Sequence, residues 1–490
     1  MEPTMISAVQ TDPIVAVSTP SGMGGIAVVR LSGKGADRVL GKCWKGVSLD
    51  GIASHSAHLG KVLLEDGSVL DEVVLTFFKG PRSFTGEDVL EISCHGSRWI
   101  QRELVNLLVR HGARAAAPGE FTQRAFMNGR MDLAQAEGVI DLISASSKAS
   151  HRMAMRQANG RFTVYLDNLR DRLIEFASLL ELELDFSEEE VEFADRKRLR
   201  DLADELLGVL RRLAASYSTG KSLKDGVPVV IAGAPNAGKS TLLNQLLEEE
   251  KAIVSDVPGT TRDIIEDTCE VNGILFRFID TAGLRDTADI VERIGIERAE
   301  DRLSRASIIL WLLDTTGDTD NQLKEILNRV GELPDASHLL VCNKVDLANN
   351  CESEKYSPAE AGQGESLCGA DAAAESLFGK ETAHLFAACM SISASEGYGI
   401  DELKGVMTSL ACKEYNPDTD IILTNGRHYA AILRGAEALS RARAALDTGL
   451  SADFIAQDVR ETLHHLATLT GTISTPDLLA SIFSRFCIGK

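Results

Sequence analysis

The residues best suited to chemistry in this 490-residue chain are Gly233-Ala234-Pro235-Asn236-Ala237-Gly238-Lys239-Ser240. Their spacing fits G-x-x-x-x-G-K-[ST], the loop that wraps a nucleotide polyphosphate. Its glycines let backbone N–H groups turn inward onto phosphate oxygens. Lys239 can reach the β- and γ-phosphates, and the Ser240 hydroxyl can ligate Mg²⁺. A helix starting at the loop would aim its positive dipole end at the same anion. The flanks agree: Val229-Val230-Ile231-Ala232 predicts a strand before the loop, and Thr241 to Leu247 predicts a helix after it.

Three further motifs follow in the order a guanine-nucleotide domain needs. Asp280-Thr281-Ala282-Gly283 ends the strand-like run Ile274 to Ile279; Asp280 would hold Mg²⁺ through water, and the Gly283 N–H would sense the γ-phosphate. Asn343-Lys344-Val345-Asp346 follows the strand-like run His338 to Cys342. Asp346 can accept two hydrogen bonds from guanine N–H groups, and Asn343 can contact the base edge. Adenine lacks that donor pair, so a buried Asp346 would be left unpaired against it. Ser393-Ala394 lies at a later strand end, where the guanine O6 is supported. Between the first two motifs, Gly259-Thr260-Thr261-Arg262-Asp263 has the position of a switch loop, with Thr261 as the Mg²⁺ ligand that senses the γ-phosphate. The plain alternative for that stretch is a polar turn. Leu284 stands where many such enzymes place a water-orienting Gln. A leucine cannot orient water, so hydrolysis needs another polar group; Glu292 and Arg285 are both candidates, or else ordinary exposed charges.

These residues need scaffolding. Residues 1–120 alternate β-like runs such as Ile26 to Leu31 and Glu72 to Phe77 with Gly and Pro, which predicts a small α+β domain. Residues 121–217 read as helical: Leu133, Ala136, Ile140 and Ile143 share one face, as do Leu199, Leu202, Leu206 and Leu210. Ser218 to Gly226 reads as a linker. Strands and helices alternate over 218–415, as a mostly parallel sheet requires, and 416–490 is helical again. The chain is thus expected to be an α/β and α+β multidomain protein. The two helical blocks would form one discontinuous domain, with a Ras-like P-loop domain inserted between them. Ser357 to Lys380 reads as a surface loop or weak helix, and the acidic run Ser187 to Glu192 as a solvated helix end or connection.

Composition narrows the setting. The net charge of -21 argues against indiscriminate nucleic-acid binding, which needs Lys and Arg. Nine cysteines without a C-x-x-C pair read as reduced thiols. No signal-peptide pattern and no apolar run of about 20 residues is found, so a cytoplasmic protein without membrane contact is expected. Gly22-Met23-Gly24-Gly25 precedes a strand-like run rather than a helix, which reads as a tight turn and not a dinucleotide fingerprint. Cys487, four from the end, is not a prenylation box, because Gly489 and Lys490 do not fit one.

The motifs at Gly233–Ser240, Gly259–Asp263 and Asp280–Leu284 resemble those of the MnmE (TrmE) family of GTPases that modify the tRNA wobble uridine to its 5-carboxymethylaminomethyl form. So do Gly22 to Gly33, Ser83 to Glu91, Pro118 to Phe126 with Arg130 and Asp132 to Glu137, and the final Cys487-Ile488-Gly489-Lys490. The resemblance spans nearly the whole chain; the region around 350–385 is unlike the family.

What the resemblance implies is specific. The N-terminal domain would bind a tetrahydrofolate derivative, in the 5,10-methylene or 5-formyl form, and hold a homodimer together. Folate contacts would be Arg30, Glu91, Arg130, where Lys is familiar, and Lys490. Cys487 would be a functional thiol near that site. GTP would be bound by Asn236, Ala237, Gly238, Lys239, Ser240 and Thr241, by Ser255, Asp256, Val257, Pro258, Gly259, Thr260 and Thr261, and by the three later motifs. K⁺ would be ligated by Asn236, Ser255, Val257 and Thr260, and Mg²⁺ by Ser240 and Thr261. Glu292 would orient water, joining Lys239 and Thr261 as catalytic residues. An FAD- and NADH-dependent partner of the MnmG (GidA) type would share the tRNA reaction in a heterotetramer or larger complex. The competing expectation is a regulatory or ribosome-assembly GTPase whose output is GTP-dependent binding alone.

Overall fold

A computed structural model describes residues 12–185, 196–248, 267–279, 303–333, 336–347, 384–413, 415–417, 419–448, 450, 452–484, 486 and 489. The chain divides into two compact units. One gathers 1–143, 155–207 and 434–490; the other gathers 144–154 and 208–433.

The first unit opens with a seven-stranded sheet: β1 (Ile14–Val17), β2 (Gly24–Ser32), β3 (Trp44–Lys45), β4 (Ser56–Leu63), β5 (Val69–Phe78), β6 (Val89–Gly96) and β7 (Arg114–Ala115), in the order β3-β4-β5-β6-β2-β1-β7. All pairs are antiparallel except β1–β7. The Gly22–Gly25 run therefore leads into a strand, as its sequence context predicts. Period-two alternation puts Val73, Leu75 and Phe77 of β5 on one face with Val29, Leu31, Leu90 and Ile92. Helices α1 (Ala36–Gly41) and α2 (Arg98–Arg110) cover that face, α2 through Leu104, Leu107 and Leu108. Arg30 and Glu91 are register partners on the opposite face.

The helices that follow are α3 (Glu120–Met127), α4 (Leu133–Ser144), α5 (Lys148–Ala158) and α6 (Arg161–Asp185). Of the α4 face expected from periodicity, Leu133 and Ala136 are buried and Ile140 partly so, whereas Ile143 is exposed near the helix end. Helix α7 (Arg196–Asp225) buries Leu199, Leu206 and Leu210 and half-buries Leu202. It also corrects the linker expected at Ser218 to Gly226: helix runs through Asp225. Ser216, Thr219 and Leu223 are buried there, and Gly220 is small because a Cβ would overlap the Leu423 carbonyl oxygen. The segment's polar, glycine-containing look reflects close packing, not a break.

The second unit holds β8 (Val227–Gly233), α8 (Lys239–Glu248), β9 (Asp267–Val271), β10 (Ile274–Phe278), β11 (Ile308–Asp314), α9 (Thr319–Val330), β12 (Ser337–Asn343), β13 (Ala388–Ser391) and α10 (Ile400–Cys412). Its sheet order is β13-β12-β11-β8-β10-β9, parallel except for β9 against β10. Counted within the unit this is 6-5-4-1-3-2, the Ras-like order. Strand β8 lies at the switch point, where successive connections leave in opposite directions and ligands bind beyond the carboxyl ends of the strands. The β11 run Ile308 to Leu313 is buried on both faces, which is why it reads as a continuous apolar stretch. The chain continues through α11 (Gly426–Thr448), α12 (Ala452–Thr470) and α13 (Pro476–Phe483); Leu479, Ile482 and Phe483 of α13 pack with Leu133 and Ala136 of α4.

Candidate functional site

The loop from β8 to α8 adopts the conformation its glycines permit. Gly233, Asn236 and Gly238 all have positive φ, at 148°, 64° and 97°. A Cβ at Gly233 would overlap the Leu312 carbonyl oxygen of β11, and one at Gly238 would overlap the Asn343 amide. Both glycines are thus fixed by close approach as well as by φ. Lys239 opens α8 and folds back over the loop: its Nζ donates to the Gly233 and Ala234 carbonyls at 2.9 and 2.7 Å. Burial lowers the Lys239 pKa from its ordinary value. Ser240 and Thr241 follow in the first turn of the helix, and Asn236 is exposed at the loop tip. The exposed Asn236 side chain carries an amide oxygen of the kind that suits a weakly held cation. The half-buried Ser240 offers a hard hydroxyl oxygen beside the lysine, which suits Mg²⁺.

Asn343, at the end of β12, does more than its sequence position suggests. Its side chain donates to the Ala237 carbonyl at 2.8 Å and accepts from the Ala394 N–H at 3.0 Å. One buried amide thus braces the phosphate loop against the Ser393-Ala394 segment. Lys344, at φ 66°, pairs with Asp314 at 2.6 Å. Burial alone would raise the Asp314 carboxyl, but hydrogen bonds from Lys344 and Thr316 outweigh it and leave it below the usual range. Asp346 sits exposed on the turn that follows, and Ser393 is buried after β13. The structure therefore gathers Asn236 through Thr241, Asn343, Lys344, Asp346, Ser393 and Ala394 at the carboxyl ends of β8, β12 and β13. Ser255 through Asp263, Asp280 through Arg285, Glu292, Cys487 and Lys490 lie outside the described residues, as do the Ser187–Glu192 and Ser357–Lys380 runs.

In the first unit, Arg30 donates through Nε and Nη2 to Oε1 of Glu91 at 3.0 and 2.8 Å. Its guanidinium lies 5.2 Å from the Phe84 ring centre and 5.7 Å from that of Phe121. Such cation–ring contacts hold the planar group without consuming its donors. Gly489 reaches the same place, its carbonyl 3.5 Å from Arg30 Nη1. Arg130 is exposed on the turn after α3, its chain packed near Gly86. A carboxylate beside a guanidinium, walled by two aromatic rings, fits a flat heterocycle with an N–H edge and an acidic tail.

Arg124, buried in α3, is a hub that sequence reasoning missed. It bonds Glu87, Glu120 and both the carboxylate and the carbonyl of Asp12. Its i, i+4 spacing to Glu120 was the available signal. Burial would raise the Glu120 carboxyl, but Arg114, the Ala117 N–H and Arg124 together hold it below the usual range. This scaffold fixes the loop bearing Phe84 and Glu87 beneath the Arg30 site.

Proteins with this strand order and this loop at the switch point are P-loop GTPases. Residues 13–130 match the family described as "GTP-binding protein TrmE N-terminus", and 133–487 match "MnmE helical domain". The chain is 46% identical over 480 residues to the tRNA modification GTPase MnmE of Cytophaga hutchinsonii, covering 98% of each chain. It is 42% identical to that of Flavobacterium johnsoniae over 491 residues (98% of this chain, 100% of the relative), and 44% identical to that of Bacteroides fragilis over 486 (98% and 99%). The chain belongs to the MnmE family, and it is a GTPase acting in tRNA modification, as its motifs led us to expect. No helix among the described residues is long and apolar enough to cross a membrane.

Proposed function

We propose that this GTPase works as a cytoplasmic homodimer. With an FAD- and NADH-dependent partner of the MnmG type, it adds an aminomethyl or carboxymethylaminomethyl group to carbon 5 of the tRNA wobble uridine. The observation that carries the reading is the Arg30–Glu91 pair between Phe84 and Phe121, next to Gly489. A reduced folate, when bound, supplies the one-carbon unit. Glu91 would accept the N–H edge of its ring, Arg30 would hold Glu91 ionised and oriented, and Arg130 and Lys490 would meet the acidic tail. Cys487 is proposed as a thiol near this site.

In the nucleotide domain Lys239 would leave two backbone carbonyls for the β- and γ-phosphates, with Mg²⁺ on Ser240 and Thr261. Asp256, Pro258, Gly259, Asp280, Thr281, Ala282 and Gly283 would complete the phosphate side. Asn343, Lys344, Asp346, Ser393 and Ala394 would receive the guanine. The carboxylate of Asp346 discriminates against adenine only once a base covers it. K⁺ on Asn236, Ser255, Val257 and Thr260 would supply the positive charge that an arginine finger supplies elsewhere. Glu292 would orient water in place of the glutamine that Leu284 displaces. The domain limits proposed are 1–120, 121–217, 218–415 and 416–490.

Isothermal titration with 5-formyltetrahydrofolate tests the folate site; no binding at high micromolar concentration overturns it. GTP turnover compared in K⁺ and Na⁺ tests the cation; equal rates overturn that part alone.

A further inference from the structure

The neighbourhood of Arg30 on β2 also receives a residue far away in sequence, Gly489. The Gly489 carbonyl accepts the Ser18 hydroxyl at 3.0 Å as well as Arg30 Nη1. Gly489 has φ 95°, and a Cβ there would overlap the Val17 carbonyl oxygen, so only glycine permits this approach. Ser18 follows β1 directly, and its own N–H donates to the Val28 carbonyl at 2.8 Å. Its hydroxyl is therefore carried on backbone fixed by the sheet. Arg30, meanwhile, sends both Nε and Nη2 to the same oxygen of Glu91. Among the described residues Glu91 Oε2 accepts no hydrogen bond.

We infer that Ser18 is a positioning residue that latches Gly489 onto β1 and β2, and thereby fixes how Arg30 presents Glu91 to its ligand. This rests on the proposed reading of Arg30 and Glu91 as the folate site. The guanidinium is a rigid planar fork, so its donors turn together. With the Gly489 carbonyl anchored by Ser18, Nη1 has a fixed acceptor. The Nε–Nη2 edge then stays on Oε1, which leaves Oε2 as the acceptor for incoming N–H donors. Loss of the hydroxyl frees the carbonyl and with it the fork's rotation. One neutral hydrogen bond of this kind corresponds to about a fivefold change in an equilibrium.

The test uses the full chain. Hydrogen–deuterium exchange of the peptide spanning residues 484–490 reads the latch without any ligand, and titration with 5-formyltetrahydrofolate reads the positioning. Ser18→Ala should speed exchange in that peptide and raise the folate Kd, each about fivefold. Ser18→Thr, which keeps the hydroxyl, should restore both. Gly489→Ala should reproduce both losses with Ser18 intact. Unchanged exchange in Ser18→Ala overturns the latch. Faster exchange with an unchanged Kd, or failure of threonine to rescue, overturns the positioning role. A wild-type chain that binds no folate overturns the underlying site reading instead, a separable result because the exchange measurement needs no folate.

Discussion

The two candidate sites hold their cations in opposite ways. In the first unit Arg30 and Arg124 are committed to carboxylates, those of Glu91 and of Glu87, Glu120 and Asp12. In the second unit the described partners of Lys239 are the backbone carbonyls of Gly233 and Ala234. A buried guanidinium among carboxylates is scaffolding: removing either partner strands a charge. An ammonium on neutral carbonyls is parked, because an incoming phosphate offers a better acceptor than the two it leaves. The first site is therefore built before its ligand arrives, while the second is poised to rearrange around it.

Four measurements put this contrast to the test. The largest effect should come from Lys239→Ala, with GTP turnover falling by about 100-fold or more and the melting temperature little changed, since a parked lysine contributes little to the fold. A melting loss as large as the arginine variant's would erase the distinction. Next, Arg124→Ala should cost about 3–5 kcal/mol in denaturant unfolding of the first unit, because Glu87 and Glu120 lose a shared buried partner. Its linked pH effect has a definite sign. Glu120 has a folded pKa below its ordinary 4.5, so its contribution is present above that pH and is lost as pH falls through the folded value.

A smaller loss, about 1–3 kcal/mol, is expected for Asn343→Ala, which leaves the Ala237 carbonyl and the Ala394 N–H unpaired. GTP affinity should fall with it, and a variant as stable as wild type would show that the brace is idle. The smallest effect belongs to His338. Trp311 donates to its Nδ1 at 3.1 Å, and its Nε2 lies 2.9 Å from the Leu333 carbonyl, which suits a neutral ring with the proton on Nε2. Burial lowers its pKa below the ordinary 6.5. Stability of the second unit should be full above about pH 6.5 and decline as pH falls below it, because the unfolded chain then binds the proton more readily. His338→Gln should flatten that slope; an unchanged profile would mean another group titrates.

What could be read from the residues differs between the units for the same physical reason. The nucleotide loop is made by consecutive residues, so Gly233 to Ser240 announces itself in one stretch, and the strand and helix around it follow from apolar runs. Arg30 and Glu91 meet only through antiparallel register across 61 positions, and nothing local in either strand forecasts the partner. Resemblance to a family, not spacing, singled them out. The Arg124 hub escaped for that reason too, since beyond Glu120 on its own helix it draws on Asp12 and Glu87 from two distant segments. Ser218 to Gly226 misled in the opposite direction: polar and glycine residues usually mark a break, but here Thr219 is buried and Gly220 is small because the Leu423 carbonyl lies against the helix.

The contact between Ser18 and Gly489 also has a place in time. The two residues are 471 positions apart, so a ribosome adding about 5–20 residues per second delivers the second about 25 to 95 seconds after the first. Among the described residues, the apolar core beneath β1 and β2 draws its buried members from Val15 to Ala113. The sheet can therefore finish its own packing while most of the chain is still being made. Docking of Gly489 is then a late event on a finished surface, and an interrupted chain would carry a folded N-terminal sheet whose site was never closed.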